Sequence, residues 1–237
     1  MTITISILYD NNPYDNRMKH RWGFSALIDN RVTKLLFDTG LDGRTLLNNM
    51  NMLGIEPTHI PSIALSHEHP YHIGGLHALL VAKKTPILFI PPSFRDRYKR
   101  KLNLVTTVVE VVPGQSLSKD AFTTGEIDHS IAEQSLVVKT NLGIVIVTGC
   151  ARTGIVKIVE DVKSRFGGPV RMVLGGFHLG RDHVGSITSI VDAFRRLGIE
   201  KVAPCHCTGD RAIKLFENEY GENFIRIGVG KVVHVGD

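Results

Sequence analysis

The stretch SHEHPYHIGG, residues 66–75, holds three of the chain's eleven histidines, His67, His69 and His72, within six positions. It follows a short apolar run, Ser62 to Leu65, that reads as a buried strand, and it ends on Gly74-Gly75. A strand running into a polar, histidine-dense loop is how layered α/β proteins build sites at strand ends. In an extended segment His67 and His69 project to the same side, where both imidazoles reach one ion. Imidazole is the commonest ligand for zinc and its neighbours. Glu68, between them, points the other way.

The same setting recurs twice. His178 follows the strand-like RMVLGGF (171–177), and His206 follows KVAPC (201–205). Three strand-end loops therefore deliver histidine. His20, His59, His77, His129, His183 and His234 read as surface or structural residues, with His77 on a helix that begins near Gly75. The three cysteines, Cys150, Cys205 and Cys207, are an odd number, which argues against a disulfide framework and for a reducing cytoplasm. Strand alternation turns Cys205 and Cys207 away from His206, and Cys150 reads as a small buried residue. No cysteine is expected as a metal ligand.

Outward from these loops, strand and helix patterns are mixed. Ile3, Ile5 and Ile7 alternate with Thr4 and Ser6 at the period of a half-buried strand. Further strands are expected over 24–28, 34–37, 62–65, 87–90 and 104–112. A hairpin is expected over 136–140 and 144–148. Helical spacing links Leu46, Leu47, Met50 and Leu53, with Asp42 as N-cap and Gly54 as stop. Ile155 to Phe166 and Ile187 to Leu197 repeat the i, i+3, i+4, i+7 pattern, and Thr208 is placed to cap a last helix. Helices outside and sheets inside is the natural solution, over one domain spanning 1–237.

The chain has 237 residues, 43% hydrophobic and 22% charged, which excludes disorder, collagen and coiled coil. No apolar run reaches the roughly 18 residues of a membrane span, and the start lacks a signal-peptide pattern. A net charge of +5 favours anionic ligands. The basic run RDRYKRK (95–101) reads as a solvated helix face, so no nucleic-acid partner is expected. No oligomeric state is read from the sequence.

LYDNNP (8–13), LLFDTG (35–40), SHEHPYHIGGL (66–76), VTGCARTGI (147–155), GGFHL (175–179) and PCHCTGD (204–210) in this order resemble the metallo-β-lactamase superfamily. More closely they resemble its branch of dihydropterin-methyl-ribofuranosylaminobenzene-phosphate synthase-like proteins, linked to methanopterin chemistry. The resemblance implies a four-layer αββα sandwich with a site for zinc or another divalent transition metal at one edge of the two sheets. It implies a metal-dependent, hydrolase-like enzyme acting on a small anionic substrate of the pterin-phosphate kind. Asp38 in LLFDTG would stand behind a histidine ligand and orient it, or cap its own turn.

Two positions depart from that pattern. The superfamily motif is His-x-His-x-Asp-His, and its Asp position holds Tyr71. The branch carries a histidine two residues after the cysteine of its GC loop, where this chain has Arg152. The resemblance puts one ion on His67, His69 and the position of Arg152. It puts the other on the position of Tyr71, His72 and His206. Each set therefore keeps two of three ligands, and a guanidinium has no lone pair to give a metal. Three readings stay open. One ion survives on His72, His178 and His206; or the site is metal-free and Arg152 binds an anion, as in a sensor; or Tyr71, Arg152 and the histidines carry out metal-free acid–base chemistry.

Overall fold

The computed structural model describes residues 2–82, 86–127 and 131–236. Its strands, in chain order, are β1 (Ile3–Tyr9), β2 (Ser25–Asp29), β3 (Lys34–Phe37), β4 (Ser62–Ala64), β5 (Ile87–Ile90), β6 (Thr107–Glu110), β7 (Ser116–Ser118), β8 (Ala121–Thr123), β9 (Leu136–Thr140), β10 (Gly143–Thr148), β11 (Val170–Gly176), β12 (Lys201–Cys205) and β13 (Val232–Val235). The helices are α1 (Gly43–Met52), α2 (Pro70–Ile73), α3 (Leu76–Ala82), α4 (Asp96–Asn103), α5 (Ile155–Phe166), α6 (Val184–Arg196) and α7 (Asp210–Tyr220). One sheet has the order β13-β1-β2-β3-β4-β5-β6 and the other β12-β11-β10-β9-β8-β7.

Strand alternation sorts the apolar side chains into three layers. Ile3, Ile5 and Ile7 of one sheet meet Val145, Val147, Met172 and Leu174 of the other in the central core. The opposite faces of those strands turn outward. Ile144, Ile146 and Val173 pack under Ile158, Val162, Ile187 and Phe216 from α5, α6 and α7. Leu36, Ile63 and Leu88 pack under Leu46, Met50, Leu79 and Leu102 from α1, α3 and α4. The result is the expected αββα order. Among the described residues no helix is long and apolar enough to cross a membrane.

Local signals hold where the chain is regular. Asp42 accepts from the Thr45 amide at 2.8 Å and so caps α1, and Gly54 takes φ 66° just beyond its end. Two expectations fail for identifiable reasons. The strand expected over 104–112 shrinks to β6, because Leu104 and Val105 close the turn after α4 and stay exposed. Thr208 does not cap α7. Its hydroxyl donates to Cys205 O at 2.7 Å and accepts from the Phe177 amide at 3.0 Å, tying two strand-end loops together.

Parallel pairing decides where the site lies. β3 pairs parallel with β4, and β10, β11 and β12 pair in parallel order. Their C-terminal ends therefore open on the same edge. Asp38 follows β3, Ser66 and His67 follow β4, Gly149 follows β10, His178 follows β11 and His206 follows β12. Asp10, at the end of β1, is fully buried behind that edge. One of its oxygens accepts from the Asn12 amide at 2.6 Å and the other has no hydrogen-bond partner.

Burial raises the Asp10 carboxyl to about 7. The folded chain thus keeps this proton to about pH 7, while the unfolded chain releases it near the ordinary Asp value, so this group lowers stability as pH rises between those limits. In Asp10→Asn that loss is absent. Urea unfolding of variant and wild type should show the variant's relative stability growing by roughly 3 kcal/mol between about pH 5 and about pH 8. A pH-independent difference would mean that Asp10 is ionised in the folded state throughout.

Candidate active site

Asp38 anchors the histidine cluster. One carboxylate oxygen accepts from the Ser66 amide at 2.7 Å. The other accepts from Ser66 Oγ at 2.7 Å and faces His72 Nδ1 at 2.6 Å. Ser66 Oγ also lies 2.9 Å from His67 Nδ1. The hydroxyl proton is spent on Asp38, so Oγ can only accept there, and His67 carries its hydrogen on Nδ1. His72 likewise directs its Nδ1 hydrogen to the carboxylate. In both rings the Nε2 lone pair is left facing inward.

His206 reaches the same state by another route. Asn11 Nδ2 donates to His206 O at 3.2 Å, which turns Asn11 Oδ1 toward His206 Nδ1 at 2.9 Å. Nδ1 therefore donates and Nε2 is free. The buried Nε2 atoms of His67 and His206 have no hydrogen-bond partner, and that of His72 has only Cys150 Sγ, at 3.2 Å. Burial lowers the affinity of all three rings for a second proton, and takes His206 down to about 3. They are neutral imidazoles at neutral pH.

The backbone is bent to make this arrangement. Asp38, Ala151, His178 and His206 have φ between 50° and 58°, a left-handed conformation unusual for side-chain-bearing residues. Gly149 is needed because a Cβ there would lie 2.4 Å from Ser66 Oγ and 2.9 Å from Asp38 Oδ2.

Tyr71 and Arg152, the two departures from the family pattern, are bonded to each other. Arg152 Nη2 donates to the Tyr71 hydroxyl at 2.7 Å, and that hydroxyl lies 3.1 Å from His69 Nδ1. His69, half-buried and stacked on Tyr71, is thereby drawn into hydrogen bonding at Nδ1. Arg152 offers no lone pair at its own ligand position.

The ligand atoms that do converge, all within 4.8 Å of one another, belong to His67, His72 and Cys150, and to Cys150, His178 and Cys207. The trio His72, His178 and His206 is not such a set. Two donors on one tetrahedral ion at ordinary bond lengths stand about 3.3–3.8 Å apart, so His67, His72 and Cys150 need only small shifts to hold one. The donor chemistry, two oriented neutral imidazoles and a thiol, fits a single divalent transition metal. The two-ion arrangement implied by the family pattern does not fit, since Arg152 has no lone pair to give and the Tyr71 phenol, which replaces the carboxylate, is hydrogen-bonded to Arg152.

Alternation does not give the direction of Cys207, because residues 206–208 form a 3-10 turn instead of continuing β12. With alternation broken at His206, Cys207 swings toward the site, while Cys205 stays in the core between the sheets. Glu133 carries no sequence signal. It is buried beneath the 149–153 loop, accepts from the Thr153 amide at 3.1 Å and is raised by burial to about 7. Of the histidines read as peripheral, His20, His59, His77, His183 and His234 are exposed; His129 lies outside the described residues. Glu68 turns outward and holds the Arg95 guanidinium at 2.6 Å.

Beside the cluster opens a cleft of about 510 Å³ lined by Trp22, Tyr71, Arg152, His178, Arg181 and Cys207. Trp22 is 50% exposed. An indole face and two guanidinium groups suit a planar ring bearing an anionic group.

No protein-family model matches the chain. A curated 7,8-dihydropterin-6-methyl-4-(β-D-ribofuranosyl)-aminobenzene-5'-phosphate synthase of Methanocaldococcus jannaschii is 31% identical over 93% of this chain and 92% of its own length. A crystal structure described as a metal-dependent hydrolase of the β-lactamase superfamily matches with a TM-score of 0.83 and 29% identity, covering 99% of this chain and all of its own. The metallo-β-lactamase fold protein YhfI of Bacillus subtilis matches with a TM-score of 0.74 at 15% identity, over 99% of both chains, a likeness of fold.

If Asp38 sets the two imidazoles as described, Asp38→Asn lowers metal affinity by about 10–100-fold. Competition against a chromogenic chelator checks this. Unchanged affinity would show that His67 and His72 do not need the carboxylate to bind an ion.

Proposed function

Because this chain belongs to the metallo-β-lactamase superfamily, and within it to the family of the dihydropterin-methyl-ribofuranosylaminobenzene-phosphate synthase, we propose that it is a metal-dependent enzyme of hydrolase type. It works with one divalent ion at the buried cluster in place of the two that the family pattern implies. The observation that carries this reading is the hydrogen-bond network that leaves the Nε2 lone pairs of His67, His72 and His206 facing inward, two of them without any protein partner.

His67, His72 and Cys150 would hold the ion, with His206 beside them. A divalent ion there supplies Lewis-acid polarisation of a phosphoryl or carbonyl oxygen and lowers the pKa of a bound water. The remaining work falls to the chain's own groups. Arg152, fixed by Tyr71, offers its guanidinium to an anionic substrate oxygen and to negative charge that develops during reaction. Its buried Nε has no hydrogen-bond partner among the described residues. The Tyr71 hydroxyl holds His69 by its Nδ1. With a hydrogen on Nε2, His69 would act as a donor to a leaving-group oxygen. Trp22 and Arg181 line the outer cleft and suit the ring and the distal charge of a small aromatic phosphate. The name of the relative from M. jannaschii supports a pterin-linked phosphate of that kind.

A second reading, a metal-free anion-binding protein, draws on the same Arg152. One experiment separates the two. Protein purified without chelator should hold a transition-metal ion at the His67–His72 cluster, and His67→Ala and His72→Ala should each lose that ion together with hydrolysis of aryl phosphodiesters. Arg152→Ala should keep the ion and raise KM for the anionic substrate by about tenfold or more. Wild type that holds no metal even after zinc is supplied, yet still binds aryl phosphates through Arg152, would replace the enzyme reading with the binding one.

A further inference from the structure

Cys150 faces two ways. Its sulfur belongs to the buried His67–His72 set and also to a second set with His178 and Cys207, whose ligand atoms again all lie within 4.8 Å of one another. We propose that Cys150, Cys207 and His178 form a separate, thiolate-rich seat for a soft divalent cation, with the Cys150 sulfur bridging to the ion proposed above. It rests on that reading only through the shared sulfur.

Several features of the fold converge on this seat. All three cysteines are free, and Cys150 and Cys207 are buried. Cys207 Sγ lies 3.5 Å from Cys150 O, so the β12 loop is packed directly on the loop that carries Cys150. Gly176 leaves the sulfur its room, because a Cβ there would stand 2.6 Å from Cys207 Sγ. Glu133 holds the Cys150 loop from below through the Thr153 amide. His178, with φ 55°, closes the set from the solvent side. It is exposed and lines the 510 Å³ cleft together with Cys207, which gives an ion a path in and leaves a fourth position open. That is the ligand count of an open zinc site.

Charge explains why thiols serve here and imidazoles alone would not. The cleft is also lined by Arg152, Arg181 and Asp182. A dication held by neutral ligands would face two guanidinium groups against one carboxylate. The Cys207 thiolate and the shared Cys150 thiolate offset half of the charge of the two ions, which lowers the repulsion from these cationic neighbours. Filling both sites of the metal-stripped protein converts two thiols to thiolates and releases two protons. Thiolate ligands favour Zn²⁺, Co²⁺ and Cd²⁺ over Mg²⁺ and Mn²⁺.

The test is a Co²⁺ titration of the reduced, metal-stripped full-length protein, followed by the near-ultraviolet thiolate-to-cobalt charge-transfer band, by the bound-ion count and by proton release. Wild type should take up about two ions with a strong band. His178→Ala removes only an exposed side chain, and Cys207→Ser is its buried counterpart. Each should bind about one ion with roughly a third of the band. His67→Ala should also bind about one ion but keep most of the band. The proposal is overturned if wild type binds one ion and neither His178→Ala nor Cys207→Ser changes count or band, a result that leaves the His67–His72 site standing. One ion that His178→Ala abolishes and His67→Ala spares would uphold the thiolate seat and defeat the proposed catalytic one.

Discussion

The Asp38 carboxylate is the constraint on which the rest of the site depends. It is fully buried, it sits in a left-handed backbone conformation directly after β3, and it receives the Ser66 amide, the Ser66 hydroxyl and His72 Nδ1. Burial pushes this carboxyl up and the Ser66 bonds pull it down. The 2.6 Å contact with His72 keeps a proton between the two groups. From that one anchor follow the tautomer of His72 directly and that of His67 through Ser66. Parallel pairing of β3 with β4 makes it possible, since it brings the residue after one strand level with the residues after the next. Gly149 supplies the clearance from the opposite sheet.

Against this frame Tyr71 and Arg152 act as one substitution. Arg152 alone would set an unpaired, partly buried cation among neutral imidazoles. Tyr71 takes one of its hydrogens at 2.7 Å and holds His69 Nδ1 at 3.1 Å. The pair converts what the family pattern treats as ligand space into a donor surface that faces the cleft. The groups that could hold an ion are thereby concentrated in His67, His72 and the sulfur of Cys150, on the buried side. A cationic rim over a buried cluster of neutral ligands favours an anionic substrate and attracts it from a distance, in keeping with the chain's excess of basic residues.

Much of this was legible in the sequence. The His-x-His spacing, the strand before it and the two other histidine-bearing strand ends identify the edge of the sandwich, and alternation and helical periodicity identify its layers. What escaped is what depends on a broken period or a distant partner. Cys207 reaches the site because the chain turns at His206, where alternation predicts continuation. Asn11 meets His206 across 195 positions, and Glu133 supports a loop 20 positions further on. Neither has a local pattern to mark it. Thr208 looks like a helix cap by type, but its hydroxyl is claimed by Cys205 and Phe177 before α7 begins.

The central claim is that the ion of this chain is bound by oriented imidazoles together with cysteine sulfur, in place of the histidine and carboxylate set of the family pattern. X-ray absorption at the zinc edge of the zinc-loaded protein measures this directly. The account predicts a mixed coordination shell, with imidazole nitrogen at about 2.0–2.1 Å and sulfur at about 2.3 Å. A shell of nitrogen and oxygen alone, with no sulfur scatterer, would contradict it.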